Sequence, residues 1–184
     1  MKIFVALFSL FLITSCVQIK QTKPQSTPLY SYDVEQRIDS MGITLTTPPA
    51  PVANYVNATR AGNLVFLAGK GPRKADGTYI TGKVPSEVST EEAYMAARLS
   101  GIQLLNALKA EIGDLNKVEQ IVEVLGMVNA DPNYTDHPQV VNGCSDLLVE
   151  IFGDRGKHAR AAVGMGSLPS NISTEIRMTV LVSE

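Results

Sequence analysis

The stretch HARAAVGMGSLPSNISTEI, residues 158–176, sets Arg160 and Glu175 into two runs of otherwise apolar or small residues, one on each side of Leu168-Pro169. Arg and Glu are rarely buried without a partner. The pair therefore reads in one of two ways, as a structural ion pair where subunits meet or as the charged ends of a ligand site. Two strands, about 158–166 and 171–182, flank the Leu-Pro turn, and local pattern alone would draw them as a hairpin with Arg160 facing Glu175. Either way both charges sit on strands, where a site is held rigidly.

Working back toward the N-terminus, Asp136-His137-Pro138 supplies a cap and an N1 proline for a helix that turns Val141, Cys144, Leu148 and Ile151 inward and stops at Gly153 and Gly156. KVEQIVEVLGMVNA, 117–130, is rich in Val and Ile and reads as a strand. Ser89-Thr90-Glu91-Glu92 matches a capping box. From it Met95, Leu99, Ile102, Leu105, Leu108 and Ile112 keep a helical period as far as Gly113. ANYVNATRAGNLVFLAGKGP, starting at Ala53, holds two strands, about 54–60 and 63–69, around Ala61-Gly62. Asp76-Gly77 then leads into a third, TYITGKV. Asp33 to Met41 puts Val34, Ile38 and Met41 on one face of a short helix that Gly42 closes, and the prolines at 48, 49 and 51 enforce extended backbone. After that short helix the order is βββαβαββ, an α+β arrangement with one layer of helices on a mixed sheet.

The 184 residues, 45% hydrophobic and 18% charged, suffice for one core. A net charge of −2 without any run of Lys or Arg offers no footprint for nucleic acid. Two cysteines and two histidines cannot assemble a zinc cluster, so no metal is expected. The start of the chain, MKIFVALFSLFLITSC, places Lys2 before an apolar run too short to span a bilayer but suited to a secretory signal over residues 1–15. Ile13-Thr14-Ser15-Cys16 resembles a bacterial lipobox, which implies cleavage before Cys16 and lipidation of its thiol. The alternatives are a plain signal peptide with an incidental cysteine, or a buried helix. Acyl chains on Cys16, at ~0.8 kcal/mol per buried methylene, would hold the protein at a membrane in the cell envelope. Residues 16–31, rich in Gln, Thr, Ser, Lys and Pro, read as a flexible linker, and a single domain is expected over 32–184.

These residues resemble the RidA/YjgF family, the reactive intermediate deaminases, from about Asp33 to Glu184, and within it the members with a long NGxSDL helix. Tyr55 stands before Gly62-Asn63 as the family spaces its tyrosine, and Ala68-Gly69-Lys70 takes the place of the family's Ser-Gly-Gln. Asn142 in VVNGCSDLL matches the helix asparagine. The most specific element is Ala159-Arg160 followed by Glu175-Ile176. The resemblance implies a chorismate-mutase-like fold with a mixed six-stranded sheet, two helices on one face, and the strand at 117–130 lying between the last two. It also implies a homotrimeric barrel with ligand clefts at the subunit boundaries.

For activity the resemblance implies hydrolysis of small enamines and imines such as 2-aminoacrylate to 2-keto acids and ammonia, without a cofactor. Arg160 would grip the substrate carboxylate as a fork. Glu175, its pKa raised toward neutrality, would orient water and pass protons. Tyr55, Gly69, Lys70, Asn142 and Ala162 would line the cleft, Lys70 either as a solvated charge or as a second cation favouring anions. Ala68 and Ala162 stand where the family carries a serine and often a cysteine. The alternative function is non-catalytic binding of small carboxylates or keto acids in the same clefts. His137, His158 and Cys144 read as structural residues.

Overall fold

Ser89 and Glu92 form the expected capping box. Ser89 Oγ accepts the Glu92 amide at 3.2 Å, and Glu92 Oε2 accepts the Ser89 amide at 3.0 Å. From this cap helix α2 runs over Thr90–Ile112, in a computed structural model that describes residues 28–183. Helix α1, Val34–Ser40, is capped by Asp33, and α3, His137–Phe152, carries Pro138 in its first turn, at the second helical position where the first was expected. The Asp136 side chain makes no capping bond. None of the described helices is long and apolar enough to cross a membrane. The expected signal sequence, Cys16 and most of the expected linker lie outside the described residues. Order, expected near Tyr32, extends back to Leu29: Tyr30 donates to the Val118 carbonyl at 2.6 Å and Arg155 to the Leu29 carbonyl at 3.3 Å.

The strands are β1 (Ala58–Ala61), β2 (Leu64–Lys70), β3 (Val118–Asn129), β4 (Ala159–Met165) and β5 (Thr174–Val182), ordered β1-β2-β5-β3-β4 in one sheet. β3 and β4 are parallel, and the other pairs are antiparallel. β3 thus separates β4 from β5, as the family resemblance implies, and no hairpin joins them. Among the described residues the sheet has five strands where six are expected. Residues 78–84 make only isolated bridges, such as Thr81 with Ile172 and Val84 with Ala130. Gly82, at φ +124°, takes the backbone out of the extended region, and Pro85 brings no N–H to a ladder. The Asp76-Gly77 turn does form, with Thr78 donating to Asp76 Oδ1 at 2.9 Å. The first strand is also shorter than expected, since the segment that follows the prolines joins the ladder only at Ala58.

α2 and α3 cover one face of the sheet. Leu104, Leu105, Leu108, Leu147, Leu148 and Ile151 are buried against Val65, Leu67, Val124, Ile176, Met178 and Val180. Each such side chain contributes about 1.5–3 kcal/mol by leaving water. The two helices meet through small residues: a Cβ at Gly143 would overlap the Tyr94 carbonyl, and one at Gly101 would crowd Leu147 and Cys144. The buried stripe of α2 is therefore Ala93, Ala96, Ala97, Ser100 and Gly101 before the leucines. Met95, expected inside, is 53% exposed, because on a helix of 3.6 residues per turn it falls on the side away from the buried Ala93, Ala97 and Ser100. Among the described residues the other sheet face carries no helix. Phe66, Val163 and Met165 on it are each more than a third exposed.

Candidate functional site: two half-sites on opposite faces of the sheet

Along β5, Thr174, Ile176, Met178, Val180 and Val182 are buried beneath the helices, so Glu175 projects from the open face. It lies over Gly69 at the end of β2, where the register with β5 slips between Leu67 and Lys70. A Cβ at Gly69 would come within 2.9 Å of Glu175 Cδ and 3.0 Å of Cγ, so only glycine leaves space for this carboxyl. Glu175 is half-buried, and burial pushes its pKa above the ordinary carboxylate value. Among the described residues no cation comes within 4.0 Å of it.

Gly69 also borders a cleft of about 260 Å³ whose wall includes Tyr55, Asn57, Lys70, Arg73 and Gln103. The proline-rich segment at 48–51 forms its rim and carries the chain to Tyr55, which is 52% exposed. Lys70 Nζ donates to Asn57 Oδ1, and burial lowers the Lys70 pKa. The structure thus gathers Tyr55, Gly69 and Lys70 around this cleft, while Glu175 rests against Gly69 from the open face and Lys70, in register with Ile176, leaves the sheet on the helical one.

Arg160 belongs to a second half-site. In register it lies beside Val124, which is buried under the helices, and so it points to the helical face. Its Nη1 donates to Asn142 Oδ1 at 2.8 Å and to Ser145 Oγ at 3.1 Å, both on α3. Ser145 Oγ is in turn 3.0 Å from His158 Nε2, and His158 Nδ1 is 2.6 Å from the Gly156 carbonyl. A carbonyl only accepts, so Nδ1 carries the proton and Nε2 accepts from the serine hydroxyl, leaving Ser145 lone pairs toward Arg160. Burial keeps His158 below its usual pKa, aided by the Arg160 charge and opposed by the bond to Gly156. With both Nη1 hydrogens engaged, Nε and Nη2 remain to grip a carboxylate. Ala162, two residues on, shares this face and packs at the edge of the core.

Arg160 and Glu175 therefore lie on opposite faces of the sheet with β3 between them, and within one chain they form neither an ion pair nor a common pocket. Arg160 is in register with Val124, whereas Glu175 is in register with Met127, an odd number of residues away. Ser145 and His158 are components that the sequence reading did not select. Ser145 was within reach of it, because it stands three residues after Asn142 and so shares that face of α3. Cys144 is fully buried and its thiol is pushed up to about 12, consistent with a structural residue. Among the described residues no group of three or more His, Cys, Asp or Glu side chains is placed to hold a metal.

Residues 35–179 match the family model described as "YjgF/chorismate_mutase-like, putative endoribonuclease". The curated protein TCP17 of Trypanosoma cruzi is 33% identical over 144 residues, covering 78% of this chain and 90% of that protein. The solved structure of Atu1372 from Agrobacterium tumefaciens is 37% identical, with a TM-score of 0.74 over 81% of this chain and 91% of that one. A Shewanella oneidensis protein solved under the same endoribonuclease description is 27% identical, with a TM-score of 0.78 over 82% of this chain and all of that one. Matched by the family model over residues 35–179, and in sequence and fold by these relatives over about four-fifths of its length, the chain belongs to the YjgF/RidA family.

Proposed function

We propose that this protein hydrolyses small enamines or imines that carry a carboxylate, releasing the 2-keto acid and ammonia, in clefts where copies of the chain meet as a homotrimer. The observation that carries the reading is the division of the site. One face offers a half-buried carboxyl of raised pKa over a glycine, and the other offers a guanidinium fork fixed by Asn142 and Ser145. Each half lacks what the other has. A second copy laying its β4 edge against the open face would complete the pair and cover Phe66, Val163 and Met165, which are exposed in the single chain.

In the completed cleft Arg160 holds the carboxylate and sets the imine carbon near Glu175. Glu175 takes a proton from water as the water oxygen bonds to that carbon, which carries a protonated nitrogen. The resulting carbinolamine receives the proton back on nitrogen, the C–N bond breaks with its electrons leaving on ammonia, and Glu175 takes the remaining hydroxyl proton as the carbon becomes a carbonyl. No electron transfer is involved.

Ala68 and Ala162 favour a second reading, binding without turnover, because they remove a hydroxyl and a thiol from the cleft. The two are separated by generating 2-aminoacrylate with a dehydratase and following keto-acid release with native protein, Arg160→Ala and Glu175→Gln. Acceleration that both variants lose supports hydrolysis. No acceleration over buffer, with Arg160-dependent carboxylate binding by calorimetry, supports the second reading. We place the protein on the envelope through a lipid at Cys16; equal palmitate labelling of native and Cys16→Ser protein would refute that.

A further inference from the structure

Ser145 and His158 brace Arg160 in the chemistry above, but their geometry supports more. A helical serine commonly bonds back to a carbonyl of the preceding turn. Ser40 in α1 does so, donating to the Arg37 carbonyl at 2.7 Å. Ser145 Oγ, on α3, instead meets His158 Nε2 at 3.0 Å and Arg160 Nη1 at 3.1 Å. Behind the ring, His158 Nδ1 donates to the Gly156 carbonyl at 2.6 Å. A hydroxyl, an imidazole and an orienting acceptor thus stand in series, each contact within hydrogen-bond reach, and this is the arrangement that makes a serine nucleophilic. Among the described residues no carboxylate lies within 4.0 Å of the His158 ring nitrogens. The carbonyl therefore holds the tautomer, as a buried Asp does in a catalytic triad.

The surroundings fit the same role. Burial keeps His158 below its usual pKa, so the ring is neutral near pH 7 and free to take the serine proton. The Arg160 guanidinium lies against the oxygen that would become negative, and its Nε and Nη2 donors remain free for an oxyanion. Access is open in the single chain. Ser145 and His158 are partly exposed, and Ala159, Arg160 and Ala161 on β4 are exposed beside them. Ser100, the buried serine of α2, is the contrast: its Oγ faces only Thr174 Oγ1, at 3.1 Å, under the helices.

We infer that Ser145 and His158 form a nucleophilic dyad that cleaves esters of small carboxylic acids, with Arg160 facing the oxyanion. Ser145 Oγ bonds to the ester carbonyl carbon as its proton passes to His158 Nε2. The tetrahedral oxyanion collapses, the bond to the alcohol oxygen breaks, and the alcohol leaves with the proton from Nε2. Water then adds to the acyl carbon, giving a proton to Nε2, and the acid departs as Ser145 Oγ takes that proton back. No electron transfer is involved. All three side chains belong to one chain, so the activity stands independently of imine hydrolysis.

The test treats the full-length protein with diisopropyl fluorophosphate, from which the serine oxygen displaces fluoride, and with p-nitrophenyl acetate. Mass spectrometry should find the phosphoryl adduct on Ser145, and nitrophenol should appear in a burst equal to the protein concentration. Ser145→Ala should lose both, and His158→Gln should slow both by about 10²-fold or more. An unlabelled Ser145, or nitrophenol release that survives Ser145→Ala and falls only in His158→Gln, would overturn the inference, the latter by showing that the imidazole acts alone. Ser145→Cys keeps the shape of the site and provides a second measurement. At pH 7 iodoacetamide should alkylate this thiol at least about tenfold faster than in Ser145→Cys/His158→Gln, because His158 takes its proton. Equal rates would overturn the dyad even if Ser145→Ala fails to fold.

Discussion

Replacing Gly69 by alanine perturbs the site at one atom. Gly69 does not occupy the left-handed region, so alanine can take its backbone conformation, and the effect falls on the contact alone. The new methyl would lie 2.9 Å from Glu175 Cδ and 3.0 Å from Cγ, and would overlap the carboxylate oxygen. Ordinary contact begins at 3.4 Å, so the carbons must recede by about 0.4–0.5 Å and the oxygen by more. Such a shift is about what an off-rotamer χ angle supplies, at a cost of roughly 0.5–1.5 kcal/mol. Overpacking in general costs about 1–3 kcal/mol, so the variant should fold. Turnover is far more sensitive, because a misplacement of about 1 Å can cost 10²-fold. Keto-acid release from 2-aminoacrylate should therefore fall by one to two orders of magnitude (roughly 10- to 100-fold) in Gly69→Ala, while the melting temperature drops by only a few degrees. A Gly69→Ala protein with at least half the native rate, alongside an inactive Glu175→Gln, would refute the claim that this contact sets the carboxyl in place.

Three further outcomes follow from the same geometry. Because burial raises the Glu175 pKa in the folded state, the folded protein holds that proton more tightly than the unfolded chain, and the residue's contribution to stability falls as pH rises from the unfolded value through the folded one. Glu175→Gln should accordingly raise the melting temperature near neutral pH and leave it unchanged below about pH 4, near the ordinary carboxylate pKa; a variant less stable than native at neutrality would contradict this. Ser145→Ala removes one of the two acceptors on Arg160 Nη1, and should weaken carboxylate binding about three- to tenfold, raising KM more than it lowers kcat. Ser145→Thr should recover part of the loss, and an unchanged KM in Ser145→Ala would show that Asn142 alone positions the guanidinium.

The elements were more legible than their arrangement. The capping box at Ser89 and the Asp76-Gly77 turn are local chemistry, and each is where the sequence puts it; Pro138 falls in the first turn of α3, one position later than expected. The hairpin suggested by the last two strands was wrong because strand order is non-local: β3, more than thirty residues upstream of β4, enters between them. That insertion also fixes the parity separating Arg160 from Glu175, which no spacing along the chain reveals. Met95 was misplaced for a different reason: large apolar residues were followed along α2, whereas its buried stripe begins with the small residues Ala93, Ala97 and Ser100, and Met95 lies on the far side of the helix from them. Arg160, Asn142, Tyr55 and Gly69 were selected through a family likeness. Their division into two groups became visible only with the sheet in register.

The central claim, that two half-sites on separate copies make one reactive cleft, is tested most directly by subunit mixing. Arg160→Ala and Glu175→Gln proteins are co-refolded in equal amounts and assayed against each alone. In a cyclic trimer every mixed assembly contains one boundary that joins an intact Glu175 to an intact Arg160, so random mixing should restore about a quarter of native activity from two inactive parents. A mixture no more active than its parents, under conditions where mass spectrometry shows mixed trimers, would contradict the account.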